Sequence, residues 1–289
     1  MKIFDALTRK AKKKRDAGTP AEAGAKLKND RRPPPAPEFQ QVSEKHGWVS
    51  PLYAKSRPVT LDSKWLMENR CVGYQCASYE ADCYKVLRTQ ILQKTQGKGG
   101  TTLMVTSALP GDGKTITAIN LAFTFTKEFM QTVLLVDSDL RQQKIHKYLG
   151  VRSAKGLIDY LIDGMPLSAL TVWPGIEKMT FISGGRTITA SSELLNSPRM
   201  KDLVKELKGR YPERYVIFDV APVLAGADAL AFAPQVDHIL FVVRAGVTPL
   251  PEIRQAIQLL PKEKILGLVL NGAEQTPDVR KYYGKRGIG

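Results

Sequence analysis

Cysteine and histidine are scarce in this chain of 289 residues, with three of each. Cys71, Cys76 and Cys83 crowd into one short stretch, but they lack the paired C-x-x-C spacing of a zinc or redox site, and their odd count builds no disulfide framework. Reduced thiols in a cytoplasmic protein are the expectation. His46, His146 and His238 are too far apart along the chain to show metal-ligand spacing. No run of eighteen apolar residues occurs, and no apolar stretch follows the first positive charges, so neither a membrane span nor a signal peptide is expected. No N-K-x-D stretch follows a late apolar run, which disfavours guanine recognition. Internal repeats at periods of about twenty to fifty residues are also absent.

What is present suffices to bury a sizeable core, since 43% of the residues are hydrophobic. The formal net charge of +15 is unevenly spread, with eleven Lys/Arg against four Asp/Glu in residues 1–32. A helical reading of "MKIFDALTRKAKKKR" puts Ile3, Phe4, Leu7 and Ala11 on one face and the bases on the other. That pattern suits peripheral contact with an anionic membrane, where each basic residue contributes roughly 1 kcal/mol. A solvated basic tail is the alternative. Nucleic acid is not an expected partner, because no aromatic residues interleave with the bases. "RRPPPAPEFQ" follows, and its consecutive prolines favour an extended spacer. These shifts divide the chain into a basic segment 1–32, a proline-rich connecting region 33–77, a compact domain 78–278 and a tail 279–289.

Six short apolar runs mark the compact part: "TLMVTS" (102–107), "TVLLVDSD" (132–139), "MTFIS" (179–183), "YVIFDV" (215–220), "HILFVVR" (238–244) and "ILGLVLN" (265–271). Continuous, β-branched apolar character fits strands covered on both faces. Amphipathic stretches such as "SPRMKDLVKELKGR" lie between them. The alternation predicts an α/β fold, a doubly wound and mostly parallel sheet with helices on both faces.

In "SALPGDGKT" (107–115) a predicted strand runs through a glycine-containing loop into a predicted helix, the context of a phosphate-binding loop. Gly111 and Gly113 permit the tight turn that aims backbone N–H groups at phosphate oxygens, and the helix adds the partial positive charge of its N-terminus. Lys114 is placed to reach the terminal phosphates and the Thr115 hydroxyl to hold magnesium. Ala108 stands where the common form has its first glycine. "VLLVDSD" ends a strand with Asp137 and Asp139, two residues apart and so on one side of an extended chain, where a cation between them relieves their repulsion. "VIFDVAP" ends another with Asp219, a further candidate magnesium ligand.

Together the motifs "ALPGDGKT", "LLVDSDLR" and "VIFDVAP" resemble the Walker A, second Walker A-like and Walker B motifs of the bacterial tyrosine kinases that control exopolysaccharide and capsule production. "DYLIDG", "SELLNSPRM", "ADALAFAPQVDHILFVVRAGVT" and "LGLVLNG" occur in that family's order, so the resemblance covers roughly residues 78–289; "MKIFDAL" is similar to the start of members without membrane spans. The resemblance implies a P-loop NTPase fold and an ATP-dependent protein tyrosine autokinase. It implies that Gly111, Asp112, Gly113, Lys114, Thr115 and Thr117 bind ATP, that Thr115, Asp137, Asp139 and Asp219 serve Mg2+, and that Lys114, Asp137 and Asp139 are catalytic. A carboxylate is a reasonable acceptor for the proton of a phenol whose pKa is about 10, and which of Asp137 and Asp139 takes it stays open. Asn271 matches the family's adenine-side residue. The tail "DVRKYYGKRGIG" offers Tyr282 and Tyr283 as phosphate acceptors among basic neighbours. Asp82, Lys85 and Arg88, spaced three apart in "DCYKVLRTQI", match a helix that packs family members into a ring, although Glu and Arg are usual at the first two positions. A separate transmembrane activator, a polysaccharide co-polymerase, is the implied partner.

Two other readings compete. A partitioning or septum-positioning ATPase of the same superfamily carries a lysine just after the first small residue of the loop, and that position is Leu109 here. A non-catalytic ATP-binding module regulating polysaccharide assembly is suggested by "DVAP" in place of the family's more usual "DTPP" and by the sparse tyrosine tail.

Overall fold

The structure, a computed structural model, describes residues 2–4, 56–75, 78–95 and 99–274. The six apolar runs form the centre of one nine-stranded sheet, because residues apolar on both faces need cover on both sides. Its strands are β1 (Lys2–Phe4), β2 (Arg57–Pro58), β3 (Thr102–Ser107), β4 (Thr132–Asp137), β5 (Val172–Trp173), β6 (Met179–Ile182), β7 (Arg214–Asp219), β8 (His238–Arg244) and β9 (Ile265–Asn271). They lie in the order β1-β9-β8-β3-β7-β4-β6-β5-β2, parallel except where β5 meets β6. Among the described residues ten α-helices accompany them: α1 (Ser63–Glu68), α2 (Tyr79–Thr95), α3 (Lys114–Phe125), α4 (Ile145–Tyr148), α5 (Leu157–Asp163), α6 (Leu167–Leu170), α7 (Ser191–Leu195), α8 (Pro198–Arg210), α9 (Asp228–Phe232) and α10 (Leu250–Leu259).

Alternation along the strands divides the core in two. Leu103 and Val105 of β3 join Leu66, Tyr84, Leu87 and Ile119 beneath α1, α2 and α3. Met104 joins Leu157, Leu195, Met200, Leu203 and Phe232 beneath α5, α7, α8 and α9. The sheet is therefore doubly wound, as the alternation predicts. Parallel pairing brings the carboxyl ends of β3, β4, β7, β8 and β9 to one edge, with Asp137 beside Asp219 and Arg244 beside Asn271 in register. The chain leaves β3 between β7 and β8 and continues to β4 on the far side of β7, which opens a crevice at the switch point.

Two stretches depart from the sequence reading. Lys2–Phe4 form a strand rather than the start of an amphipathic helix, pairing with β9 through Lys2↔Leu268 and Phe4↔Leu270. The reason is local: β9 otherwise presents a row of unpaired backbone groups at the edge of the sheet, and an added strand satisfies them. The rest of the basic segment proposed for membrane contact lies outside the described residues, as do Cys76 and the tyrosine tail. Residues 56–75, assigned by composition to the connecting region, pack on the domain. Leu66 and Cys71 are 0% and 1% exposed within the α2–α3 core.

Candidate functional site

The phosphate loop is built by three local decisions of the backbone. Gly111 and Gly113 adopt φ of 91° and 98°, where glycine is favoured because it lacks a Cβ. A Cβ on Gly113 would also lie 1.9 Å from the Asn271 amide nitrogen. Ala108, in contrast, needs no glycine: among the described residues only Arg70 and Lys178 combine a side chain beyond glycine with positive φ, and the Ala108 methyl is fully buried in the core. Leu109 packs against the same core.

Asp112 holds the loop together from within. Its carboxylate accepts the Leu109 N–H (3.0 Å) and the Thr248 hydroxyl (2.7 Å), while its carbonyl accepts the Asn271 amide (2.9 Å). Those donors turn the side chain inward, so Asp112 shapes the site through the backbone and does not line its cavities. Thr117 is likewise fully buried one turn into α3 and does not line them. Thr248 was not legible as a site residue in sequence, because its contact is specific to the folded loop.

Beyond the loop, four charges converge. Lys114, the first residue of α3, donates to Asp139 (2.8 Å) and reaches Asp219 and the Thr115 hydroxyl at 3.4 Å each. Burial alone would lower its ammonium pKa, but the charges of Asp219 and Asp139 and the hydrogen bond to Asp139 outweigh it and hold it above the ordinary lysine value. Asp137 is fully buried, with one oxygen accepting the N–H groups of Lys144 and Ile145 at the start of α4 (both 3.0 Å). Burial and then the Asp219 charge push its carboxyl well above the usual carboxylate range. Burial raises the Asp219 carboxyl as well, against the pull of Lys114.

Asp137 and Asp139 both bear on the site, but the chain does not stay extended between them. β4 ends at Asp137, the extended geometry ends with it, and the two side chains take different partners. The close neighbour of Asp137 is Asp219 on the adjacent strand. Of the three carboxylates, only Asp139 lines the open cleft.

The cleft continues across the loop. One cavity of about 230 Å³ holds Lys114, Thr115, Asp139 and Arg141; a second of about 270 Å³ holds Arg70, Arg244 and Asn271; Gly111, Gly113, Ile116 and Tyr148 border both. Arg141 is anchored by Ser191 (2.7 Å) and the buried Asp228 (3.3 Å). Its position in "LLVDSDLR" was visible in sequence, but its anchor on α9 was not.

The donor set fits a nucleotide-bound magnesium ion. Three carboxylates surround one ammonium, and one oxygen each of Asp137 and Asp219 is buried without a partner among the described residues. No closed cage of three acidic, histidine or cysteine side chains forms among the described residues. Magnesium does not require one, since it commonly takes one or two protein oxygens together with phosphate oxygens and water.

Asp82 and Lys85 pair at 2.7 Å on α2 and remain partly exposed. Arg88 is drawn inward instead, to Glu128 (2.6 Å) and the Thr124 carbonyl (2.9 Å), so the three do not present one free stripe. Among the described residues no helix is long and apolar enough to cross a membrane.

No protein-family model matches the chain. The tyrosine-protein kinase YwqD of Bacillus subtilis is 31% identical over 212 residues, spanning 72% of this chain and 88% of that protein. The succinoglycan biosynthesis transport protein ExoP of Rhizobium meliloti is 30% identical over 213 residues, 70% of this chain, which spans only 26% of that longer relative. The solved kinase domain of the Escherichia coli tyrosine kinase ETK superposes with a TM-score of 0.67 and 26% identity over 78% of this chain and 91% of that domain. The likeness to YwqD over most of its length, with a fold shared with the ETK kinase domain, shows that the chain belongs to the bacterial tyrosine kinase family.

Proposed function

We propose that this protein is an ATP-dependent protein tyrosine autokinase that regulates polymerisation and export of an exopolysaccharide or capsule. The observation that carries the reading is the cluster of Lys114, Asp139 and Asp219 at the N-terminus of α3, in which Asp139 is the carboxylate that lines the cleft. The backbone N–H groups of the loop and Lys114 bind the phosphates of ATP. Thr115 and Asp219 would hold Mg2+, which when bound neutralises charge on the transferred phosphoryl group, while Asp139 is kept for the proton. Asp137 acts from behind, fixing the start of α4 and adding negative charge next to Asp219.

Asp139 is the base in this reading. It accepts the phenolic proton as the tyrosine oxygen forms its bond to the γ-phosphorus and the bond from that phosphorus to the β-bridging oxygen breaks, releasing ADP. The acceptors are Tyr282 and Tyr283, reached in trans within an oligomer, and a separate transmembrane activator supports the assembly. The names of YwqD and ExoP, a tyrosine-protein kinase and a succinoglycan transport protein, support both halves of the proposal. A partitioning ATPase fits less well, because Leu109, packed against the core, stands at the position where such a protein needs a lysine reaching across a dimer.

Mass spectrometry of phosphotyrosine tests the reading, using purified chain with Mg-ATP in the presence of membrane activator. Tail phosphorylation in the unaltered protein is expected to vanish in Lys114→Ala and in Tyr282→Phe/Tyr283→Phe. ATP turnover without phosphotyrosine would replace the kinase by the ATPase, and ATP binding without turnover by the regulatory module.

A further inference from the structure

α1 ends in an unusual residue. Its C-terminal turn closes with the Cys71 N–H donating to the Leu66 carbonyl (2.8 Å) and the Arg70 N–H to the Met67 carbonyl (3.0 Å), the paired bonds that terminate a helix through a left-handed residue. Glycine is usual at that position, but this chain has Arg70 at φ 60°. The other side chain held at positive φ, Lys178, is accounted for by its neighbours, since its ammonium donates to the Glu128 and Phe129 carbonyls at 2.6 and 2.9 Å. Arg70 is exposed, and its guanidinium has no hydrogen bond or ion pair among the described residues. Strain of this kind collects at functional positions.

The turn is also fixed firmly to the helix that begins at the phosphate loop. Asn120 of α3 donates to the Arg70 carbonyl (3.0 Å) and accepts the Gly73 N–H (2.7 Å). Gly73 sits so close that a Cβ would lie 2.5 Å from the Asn120 carbonyl oxygen. On the other side Trp65 donates to the Lys147 carbonyl (3.0 Å). Arg70 is thereby placed on the wall of the 270 Å³ cavity, facing the loop glycines, with Arg244 and Asn271 also on its lining.

That cavity is the half of the cleft without Lys114 and Asp139, which line the other half. A nucleotide whose terminal phosphate lies at Lys114 and whose phosphates follow the loop must direct its nucleoside here. Ile116 and Tyr148 supply apolar and aromatic surface, and a guanidinium is the cation best suited to lie on the face of a flat ring. Resting on the kinase reading, we infer that Arg70 holds the nucleoside half of ATP, its guanidinium packed over the base, so that the segment before the phosphate-loop domain completes the nucleotide site.

The experiment is calorimetric titration of the full chain with Mg-ATP and with inorganic tripolyphosphate, comparing the unaltered protein, Arg70→Gly and Arg70→Lys. Arg70→Gly suits the left-handed backbone, so its thermal midpoint is expected to hold or rise while ATP affinity falls about three- to thirtyfold and tripolyphosphate affinity stays unchanged. Arg70→Lys is expected to recover little, because an ammonium has no plane to stack. Unchanged ATP affinity in Arg70→Gly overturns the inference. Equal losses for both ligands overturn it too, because they assign Arg70 to the phosphates. If the unaltered protein binds neither ligand, the kinase reading falls and the inference with it, which is distinct from a loss of this inference alone.

Discussion

Replacing Asp137 by asparagine is expected to stabilise the ligand-free protein. One oxygen of Asp137 caps the start of α4 by accepting two backbone N–H groups, and an asparagine carbonyl retains both bonds. The other oxygen is buried without a partner among the described residues, beside Asp219, which also has an unpartnered oxygen. An amide nitrogen in that place removes a buried charge and gives Asp219 a donor. Relieving one unsatisfied buried group amounts to about 1–3 kcal/mol, and each kcal/mol shifts the midpoint by about 2–4 °C in a domain of this size. The pH dependence has a definite sign. The folded-state pKa of Asp137 lies above its unfolded value, so the stability it contributes is fully present below the unfolded value and is lost as pH rises through the folded one. The gap between Asp137→Asn and the unaltered protein should therefore open with rising pH and close in acid. Scanning calorimetry without metal at several pH values measures it, and repeating the scans with Mg-ADP should favour the unaltered protein. A metal-free variant less stable than its parent at pH 8, or a gap indifferent to pH, refutes the reasoning.

Three further substitutions probe the frame around the site. Ala108→Gly restores the common motif but removes a buried methyl, so a loss of about 1 kcal/mol in denaturant titration is expected with no gain in ATP affinity. Gly113→Ala forces a Cβ against the Asn271 amide at positive φ; a cost of about 2–4 kcal/mol and at least a tenfold loss of ATP binding should follow by titration. Leu66→Ala, in α1, should cost about 2–5 kcal/mol in chemical unfolding, the amount for a buried core leucine.

The central strands were legible because strands covered on both faces are written as unbroken apolar runs. β3, β8 and β9 begin and end where the runs at 102–107, 238–244 and 265–271 do. β1, β2 and β5 were not, since two or three residues carry no period and owe their pairing to the edges they cover. The stretch around α1 escaped for a related reason: Trp65 and Met67 are exposed beside the buried Leu66, so no clean apolar face marks it. At the site, residue types that face phosphate followed from the glycine loop, whereas the inward turn of Asp112, the parting of Asp137 from Asp139 and the anchor of Arg141 depend on where the chain stops being extended.

The end of β9 also sets a leash. Asn271 touches the carbonyl of Asp112, so the chain departs from beside the phosphate loop itself. Tyr282 follows Glu274 by eight residues, a contour of no more than about 29 Å whatever path the chain takes. Transfer within one chain would then proceed at a rate constant indifferent to dilution, while transfer between chains would slow in proportion once assemblies separate, so the root of the tail turns a question of geometry into one of reaction order.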